Sequence, residues 1–362
     1  MDWQKLRICF AEARRQGLRA KEAAQACGIA EGVAVEAHTV ARGALHEKES
    51  LRVHPIYAAS WVDVLRALEA CGPLMALTRN ESVVHEKTGV YQNVSAQGGV
   101  GLALGESIDL RLFFTHWHAG YAVTEPNQSE PGSLQFFDAY GRAVHKIFRR
   151  PQTRIDVWQA VIQRFIESQR TSEYLPLPIP AAQETAGPVG ADVAQFLEAW
   201  ASMTDTHEFF PLLKRFSLDR LQALKLAQGR FAHRVPRQSV SEVLHEAAFD
   251  QTPIMVFVGS PGCIQIHTGP VRRVETLEVH GRQWLNVLDE DFNLHLLEDR
   301  VEECWVVEKP TSDGPMTSLE VFDGQGELMA MLFGARKPGQ PELAAWRQMI
   351  MRLPGVGMTA CV

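Results

Sequence analysis

Between Ile108 and Phe114 apolar and other residues alternate: the even positions are apolar, while the odd ones carry Asp109, Arg111 and Phe113. A period of two predicts a strand with one face packed and the other free to look into a cleft. Ser133-Leu-Gln-Phe-Phe-Asp138 reads as another strand, followed by the turn Asp138-Ala-Tyr-Gly141 and a second apolar run, the pattern of a hairpin. That hairpin returns as Ser318-Leu-Glu-Val-Phe-Asp323 with the turn Asp323-Gly-Gln-Gly326. Gly120–Pro126 is matched by Cys304–Pro310, Ile108–Phe113 by Phe292–Leu297, and Trp158 by Trp346, all at a spacing of about 185 residues. Four matches in one order imply a duplicated unit, each copy running from helices through an antiparallel meander to a closing amphipathic helix. The fold class is therefore α+β, a tandem repeat. We place the N-terminal repeat at 1–172, a connection at 173–190 and the C-terminal repeat at 191–362. The prolines of Tyr174-Leu-Pro-Leu-Pro-Ile-Pro180 resist both helix and sheet and mark the connection.

Composition adds boundaries. A chain of 362 residues, 46% hydrophobic and 22% charged, fits two globular units. No apolar run approaches the roughly 18–20 residues of a membrane span, and the amphipathic N-terminus lacks the regions of a signal peptide, so we expect a cytoplasmic protein with no membrane insertion. Cys9, Cys27, Cys71, Cys263, Cys304 and Cys361 show no CxxC spacing and are expected as buried thiols. A net charge of −7 argues against a broad nucleic-acid face but leaves room for a local basic pocket. Arg19–Glu31 resembles the first part of a helix-turn-helix, a pattern that many helical caps share.

No Walker loop, HExxH or GxSxG is present. His207 stands out among 13 histidines. Thr204 and Asp205 before it are helix starters, Pro211 four residues later makes a helix begin late or kink, and Phe209, Phe210 and Phe216 put aromatic surface nearby. On spacing alone, a capping or surface histidine is the ordinary reading. His116 and His118 would share one face of a strand, as a pair without a third ligand. Arg111 and the basic residues Lys309, Arg336 and Lys337 read as ordinary ion pairs and a solvated face, or as clamps for carboxylates.

Asp109-Leu-Arg-Leu-Phe113, Ser133–Asp138, Met203-Thr-Asp-Thr-His-Glu-Phe-Phe210, Ile254–Gly259, Lys309-Pro-Thr-Ser-Asp-Gly314 and Leu332–Arg336 together resemble the HemS/ChuS/HmuS family of haem-handling proteins. The resemblance runs from about Arg79 to Leu353. It implies a duplicated fold with haem b (hemin) between the halves. It puts His207 on the iron as axial ligand, Arg111 on the distal side with Phe113 beside it, Arg220 and Lys309 near the propionates, and Phe257 on an apolar wall. Where the family carries Gln-x-Tyr-x-x-Arg, this chain has Met331, Phe333 and Arg336. Cations at the rim, aromatics over the ring and one neutral imidazole suit a haem.

The leading expectation is haem binding for uptake and iron acquisition. Haem would be taken from the cytoplasmic side of an ABC importer and passed to a haem oxygenase. The alternatives are an enzyme that opens the porphyrin itself, fed by a reductase, and, more weakly, a DNA-binding regulator acting through the N-terminal helices.

Overall fold

The computed structural model of the chain describes residues 1–45, 50–166, 177, 193–336 and 339–356. The first pass begins with three helices, α1 (Trp3–Arg15), α2 (Ala20–Ala26) and α3 (Glu31–Glu36). It continues through β1 (Arg52–Pro55), α4 (Trp61–Ala67), β2 (Leu74–Arg79), β3 (Val83–Gly89), β4 (Ser95–Gln97), β5 (Val100–Leu104) and β6 (Asp109–Phe113). It closes with β7 (Ala119–Thr124), β8 (Ser133–Phe137), β9 (Ala143–Arg149) and α5 (Ile155–Phe165). The second pass repeats the order. It has α6 (Val193–Ala201), α7 (Phe209–Phe216), α8 (Arg220–Leu226), β10 (Ala232–Val235), α9 (Ser239–Phe249), β11 (Ile254–Ser260) and β12 (Cys263–Gly269). Then come β13 (Val274–Val279), β14 (Arg282–Leu288), β15 (Phe292–Leu297), β16 (Val301–Lys309), β17 (Met316–Asp323), β18 (Leu328–Gly334) and α10 (Ala344–Met351).

Among the described residues the strands form two antiparallel sheets of nine. The first pass contains the run β1-β7-β8-β9-β2, and the second contains β10-β16-β17-β18-β11, the same permutation strand for strand. The expected meander is the middle of each run. The first strand of each pass returns to one side of it and the strand after the fourth helix to the other. The hairpin turns agree in detail: Asp138 Oδ1 accepts from the N–H groups of Tyr140 and Arg142, and Asp323 Oδ1 accepts from those of Gln325 and Glu327. Gly141 and Gly326 sit at φ 79° and 78°, where a side chain is strained. Trp158 and Trp346, both fully buried, anchor the closing helices through indole N–H bonds to the carbonyls of Pro131 and Thr317.

Each run of five strands is covered on both faces. In the second pass α9 and α10 contribute Val240, Leu244, Trp346 and Ile350 to a core with Val256, Leu319, Val321 and Leu332. On the opposite face α6, α7 and α8 bury Trp200, Phe209 and Leu224 against Trp305 and Val307. In the first pass α4 and α5 pack on Leu74, Ala122 and Phe136, while Val35 of α3 packs on Val53, Tyr121 and Phe137. All six residues of α3 are buried. The helix that a helix-turn-helix would insert into a groove therefore has no exposed face.

Two compact units emerge: Met1–Arg79 with His85–Pro180 and Gly259–Gln265, and Asn80–Val84 with Ala181–Val258 and Ile266–Val362. Apart from Leu177, the expected connection at 173–190 lies outside the described residues. The segment Gly259–Gln265 belongs to the first unit because its groups are used there. The Gly262 carbonyl accepts from the Phe113 N–H and from the Trp117 indole, both at 2.9 Å. Ser260 Oγ donates to the Val144 carbonyl, and Cys263 is buried in the first unit's core. In return, Val83 lies in the second unit's core, and Asn80 Nδ2 donates to the Met329 carbonyl.

The cysteine expectation needs correction. Cys9 and Cys27 form a disulfide, with Cα atoms 6.0 Å apart and a sequence separation of 18. The positive φ of Gly17 turns α1 into α2, so two residues far apart in sequence meet across a helical hairpin. Cys71, Cys263 and Cys304 are buried free thiols, pushed up by burial to about 11, 12 and 12, and Cys361 lies outside the described residues.

A Cβ at Gly262 would stand 2.8 Å from Val144, 3.0 Å from Trp117 and 3.1 Å from His116, whereas one at Gly324 would meet nothing within 4 Å. Gly262→Ala is expected to cost about 1–3 kcal/mol by overpacking, and Gly324→Ala to cost little. Thermal melts of both variants check this; equal midpoints would show that residues 259–265 are not packed as described.

Candidate functional site

The second unit presents His207 on a short, tightly tied turn. Asp205 is extended (φ −144°, ψ 140°) and caps the 3-10 turn Thr206–Glu208. Its Oδ1 accepts from the His207 backbone N–H at 2.8 Å and lies 2.6 Å from Nδ1. A carboxylate only accepts, so Nδ1 carries the proton, and it is Nε2 that has a lone pair in the neutral ring. The His207 side chain is 90% exposed, which leaves that nitrogen accessible. The hydrogen bonds from His207, backbone first, hold the Asp205 carboxyl below its ordinary value, with His207 and Arg336 as nearby charges.

Two further clamps fix this turn. The Thr204 N–H and hydroxyl both donate to Glu208 Oε1, and the Thr204 carbonyl accepts from the Ser312 N–H at 2.8 Å. Ser312 belongs to Lys309-Pro-Thr-Ser-Asp-Gly314, whose own turn is closed by a hydrogen bond from the Thr311 hydroxyl to the Gly314 carbonyl. The two motifs are thus one structure. Arg336 joins them, 3.9 Å from Asp313. As the sequence predicts, the helix starts late: α7 begins at Phe209, with Pro211 in its first turn, where a missing N–H costs nothing.

Beneath the turn lies a buried charge cluster. Glu320, in the middle of β17, is bound by Arg220 Nε at 2.5 Å, Arg220 Nη2 at 2.8 Å and Lys309 Nζ at 2.9 Å. Ser318 Oγ adds a hydrogen bond at 3.1 Å. Burial alone would raise the Glu320 pKa, but Arg220 and Lys309 outweigh it and hold the carboxyl far below the usual range. Burial pulls Lys309 down to about 8 against the attraction of Glu320, and Arg220 adds to the fall. Both cations stand over the Phe209 ring, Arg220 at 5.1 Å and Lys309 at 4.7 Å. Two cations against one anion leave a surplus of positive charge under the aromatic floor of the histidine turn.

The same sheet face continues into an apolar strip. Glu320 pairs with Met331, and Met331 with Phe257, so the three side chains share a face. The Phe257 and Phe333 rings are 4.9 Å apart, and Met331 Sδ lies 3.2 Å from Arg220 Nη2. Phe257 and Met331 remain half-buried, at the margin of the cover that the helices supply. His207, Arg220, Phe257, Lys309, Phe333 and Arg336 therefore form one connected neighbourhood within the second unit.

A family model described as the haemin-degrading HemS.ChuX domain matches this chain twice, over residues 39–165 and 217–353. The chain belongs to the HemS family. The hemin transport protein HmuS of Yersinia pestis is 41% identical over 293 residues, 80% of this chain and 83% of that one. The crystal structure of apo-PhuS, a heme-binding protein from Pseudomonas aeruginosa, superposes with a TM-score of 0.88 at 38% identity, covering 97% of this chain and 99% of that one. ChuS of Escherichia coli O157:H7, described as a heme degrading enzyme, superposes with a TM-score of 0.85 at 34% identity over 97% and 99% of the two chains.

This HemS-family chain keeps Arg111 and Phe113 in its first unit. Both lie on the half-buried face of β6, opposite the buried Leu110 and Leu112, and Arg111 is ion-paired to Asp109 on its own strand. The expectation for His116 and His118 is corrected. They do not share a strand: Phe114–His116 forms a 3-10 turn, and both imidazoles are exposed on either side of the buried Trp117. The indole must reach the Gly262 carbonyl, and the turn is what aims it there. Lys337 lies outside the described residues. Among the described residues there is no group of three or more potential metal-binding side chains.

Sequence reasoning passed over Glu320 and saw Asp205 only as a helix starter. Glu320 carried a signal, because an acid at an inward strand position needs a buried partner, and the first pass has neutral Gln135 there. Glu320→Gln leaves two buried cations without their carboxylate and is expected to cost about 3–5 kcal/mol at pH 7. Because the folded pKa is depressed, the Glu320 contribution is complete above the ordinary carboxylate pKa of about 4.3 and declines as pH falls below it. Melting curves of wild type and Glu320→Gln should therefore converge only in strong acid. A constant gap down to pH 2 would contradict the charge cluster.

Proposed function

We propose that this chain binds haem and carries it in the cytoplasm from an inner-membrane importer to a degrading enzyme. The observation that carries the reading is the His207 turn: an exposed imidazole whose Nδ1 is held by a carboxylate and whose Nε2 is open. Imidazole with this kind of partner is the usual axial donor to haem iron. Half-buried Phe257, backed by the Phe333 ring, offers aromatic surface to a porphyrin. The positive surplus at Arg220 and Lys309, with Arg336, suits its carboxylates. Where the family has a hydrogen-bonding Gln and Tyr, Met331 and Phe333 extend the apolar strip, so that corner contributes packing. The likeness to HmuS, a hemin transport protein, and to PhuS, a heme-binding protein, supports the same reading. Among the described residues no helix is long and apolar enough to cross a membrane.

Haem titration of wild type and His207→Ala tests the ligand. The variant should bind at least about tenfold more weakly, with a shifted Soret band, since an iron bond is lost while apolar burial remains. An unchanged spectrum and affinity would overturn it. The carrier role is tested by exposing the holo-protein to oxygen and a reductase with catalase present. The porphyrin should stay intact; steady release of ring-opened product under those conditions would make the chain an enzyme.

A further inference from the structure

We infer that Asp205 is a positioning residue: its carboxylate sets both the orientation and the donor strength of His207 toward a haem iron. The inference rests on the haem-binding reading of His207 and goes one step beyond it. A cap for the Thr206–Glu208 turn needs only an acceptor for a backbone N–H, and Asp205 Oδ1 supplies that at 2.8 Å. The same oxygen also reaches the ring, at 2.6 Å from Nδ1. That second contact does nothing for the turn. It fixes the imidazole plane, excludes the tautomer in which Nε2 would carry the proton, and places a negative charge on the far side of the ring from the open nitrogen.

The consequences are electronic as well as geometric. A carboxylate that accepts strongly from Nδ1–H raises electron density at Nε2 and favours the more highly charged ferric iron over the ferrous. The platform is rigid enough for this to matter. Thr204 is tied to Glu208 and to Ser312, so the backbone carrying both partners is closed on two sides. Arg336 sits close enough to act on Asp205 and favours its ionised form. A bare exposed histidine would swing and exchange tautomers in water, and each lost orientation would weaken binding.

Asp205→Asn retains size and a cap acceptor but removes the charge, Asp205→Ser keeps only the cap, and Asp205→Glu restores a carboxylate. All three are compared with wild type and His207→Ala as haem complexes. The readouts are the ferrous iron–histidine stretching band by resonance Raman, the ferric/ferrous midpoint potential and ferric haem affinity. The inference predicts a lower stretching frequency, a more positive potential and a loss of ferric affinity of about tenfold for Asp205→Asn and Asp205→Ser. It predicts partial recovery for Asp205→Glu. If His207→Ala abolishes the band while the Asp205 variants match wild type in frequency and potential, His207 is the ligand and Asp205 merely a cap; the inference then fails alone. If His207→Ala leaves the band unchanged, the ligand assignment fails and takes the inference with it.

Discussion

The buried carboxylate of Glu320 is the interaction on which the candidate site depends. It stands at the centre of the middle strand of a five-stranded run, and it holds the first residue of α8 and the last residue of β16 to that strand. The second helix after the histidine turn, α8, and the strand that feeds Lys309 into the loop beneath it are thereby fixed to one point. A carboxylate so placed is tolerable only with full compensation, and compensation by two cations overshoots. The local surplus of positive charge follows from the packing of the fold. It lies where an anionic, flat ligand could use it.

The first pass solves the same problem with the signs reversed. Gln135 occupies the position of Glu320, and its strand neighbour Lys146 occupies that of Met331. Lys146 Nζ meets Glu31 Oε1 at 2.5 Å, and Glu31 is the first residue of α3, as Arg220 is of α8. The base is on the helix and the acid on the sheet in one unit; in the other they are exchanged. Topology, hairpin turns and closing tryptophans are the same, so the duplicated architecture tolerates either polarity of the pinning ion pair. In the second polarity the two cations lie over an aromatic ring, that of Phe209. The first pass has no histidine turn before its α3.

The repeat, the alternation in β6, the late start of α7 and the closing helices were legible because each follows from local periodicity or local turn chemistry. What escaped was set by tertiary structure. Nothing in Ser-Pro-Gly-Cys263 says which unit uses its carbonyls; that depends on Trp117, far away in sequence. The pairing of Cys9 with Cys27 depends on how tightly Gly17 folds two helices together. The strand expected for His116 and His118 is replaced by a turn that buries the indole between them. The motifs resembling the family gave the site residues as separate names. Only the hydrogen bond from Ser312 to Thr204 shows why the histidine motif and the Lys309–Gly314 motif occur together.

The central claim is that haem is engaged by the His207 turn and the sheet face beside it in the second unit. Amide hydrogen exchange of the intact chain, with and without one equivalent of haem, tests it without any substitution. Peptides spanning 203–216 and 307–336 should show the greatest gain in protection, because ligation stiffens the turn and its hydrogen-bonded loop. Protection that spares both peptides, while haem is demonstrably bound, would contradict the account.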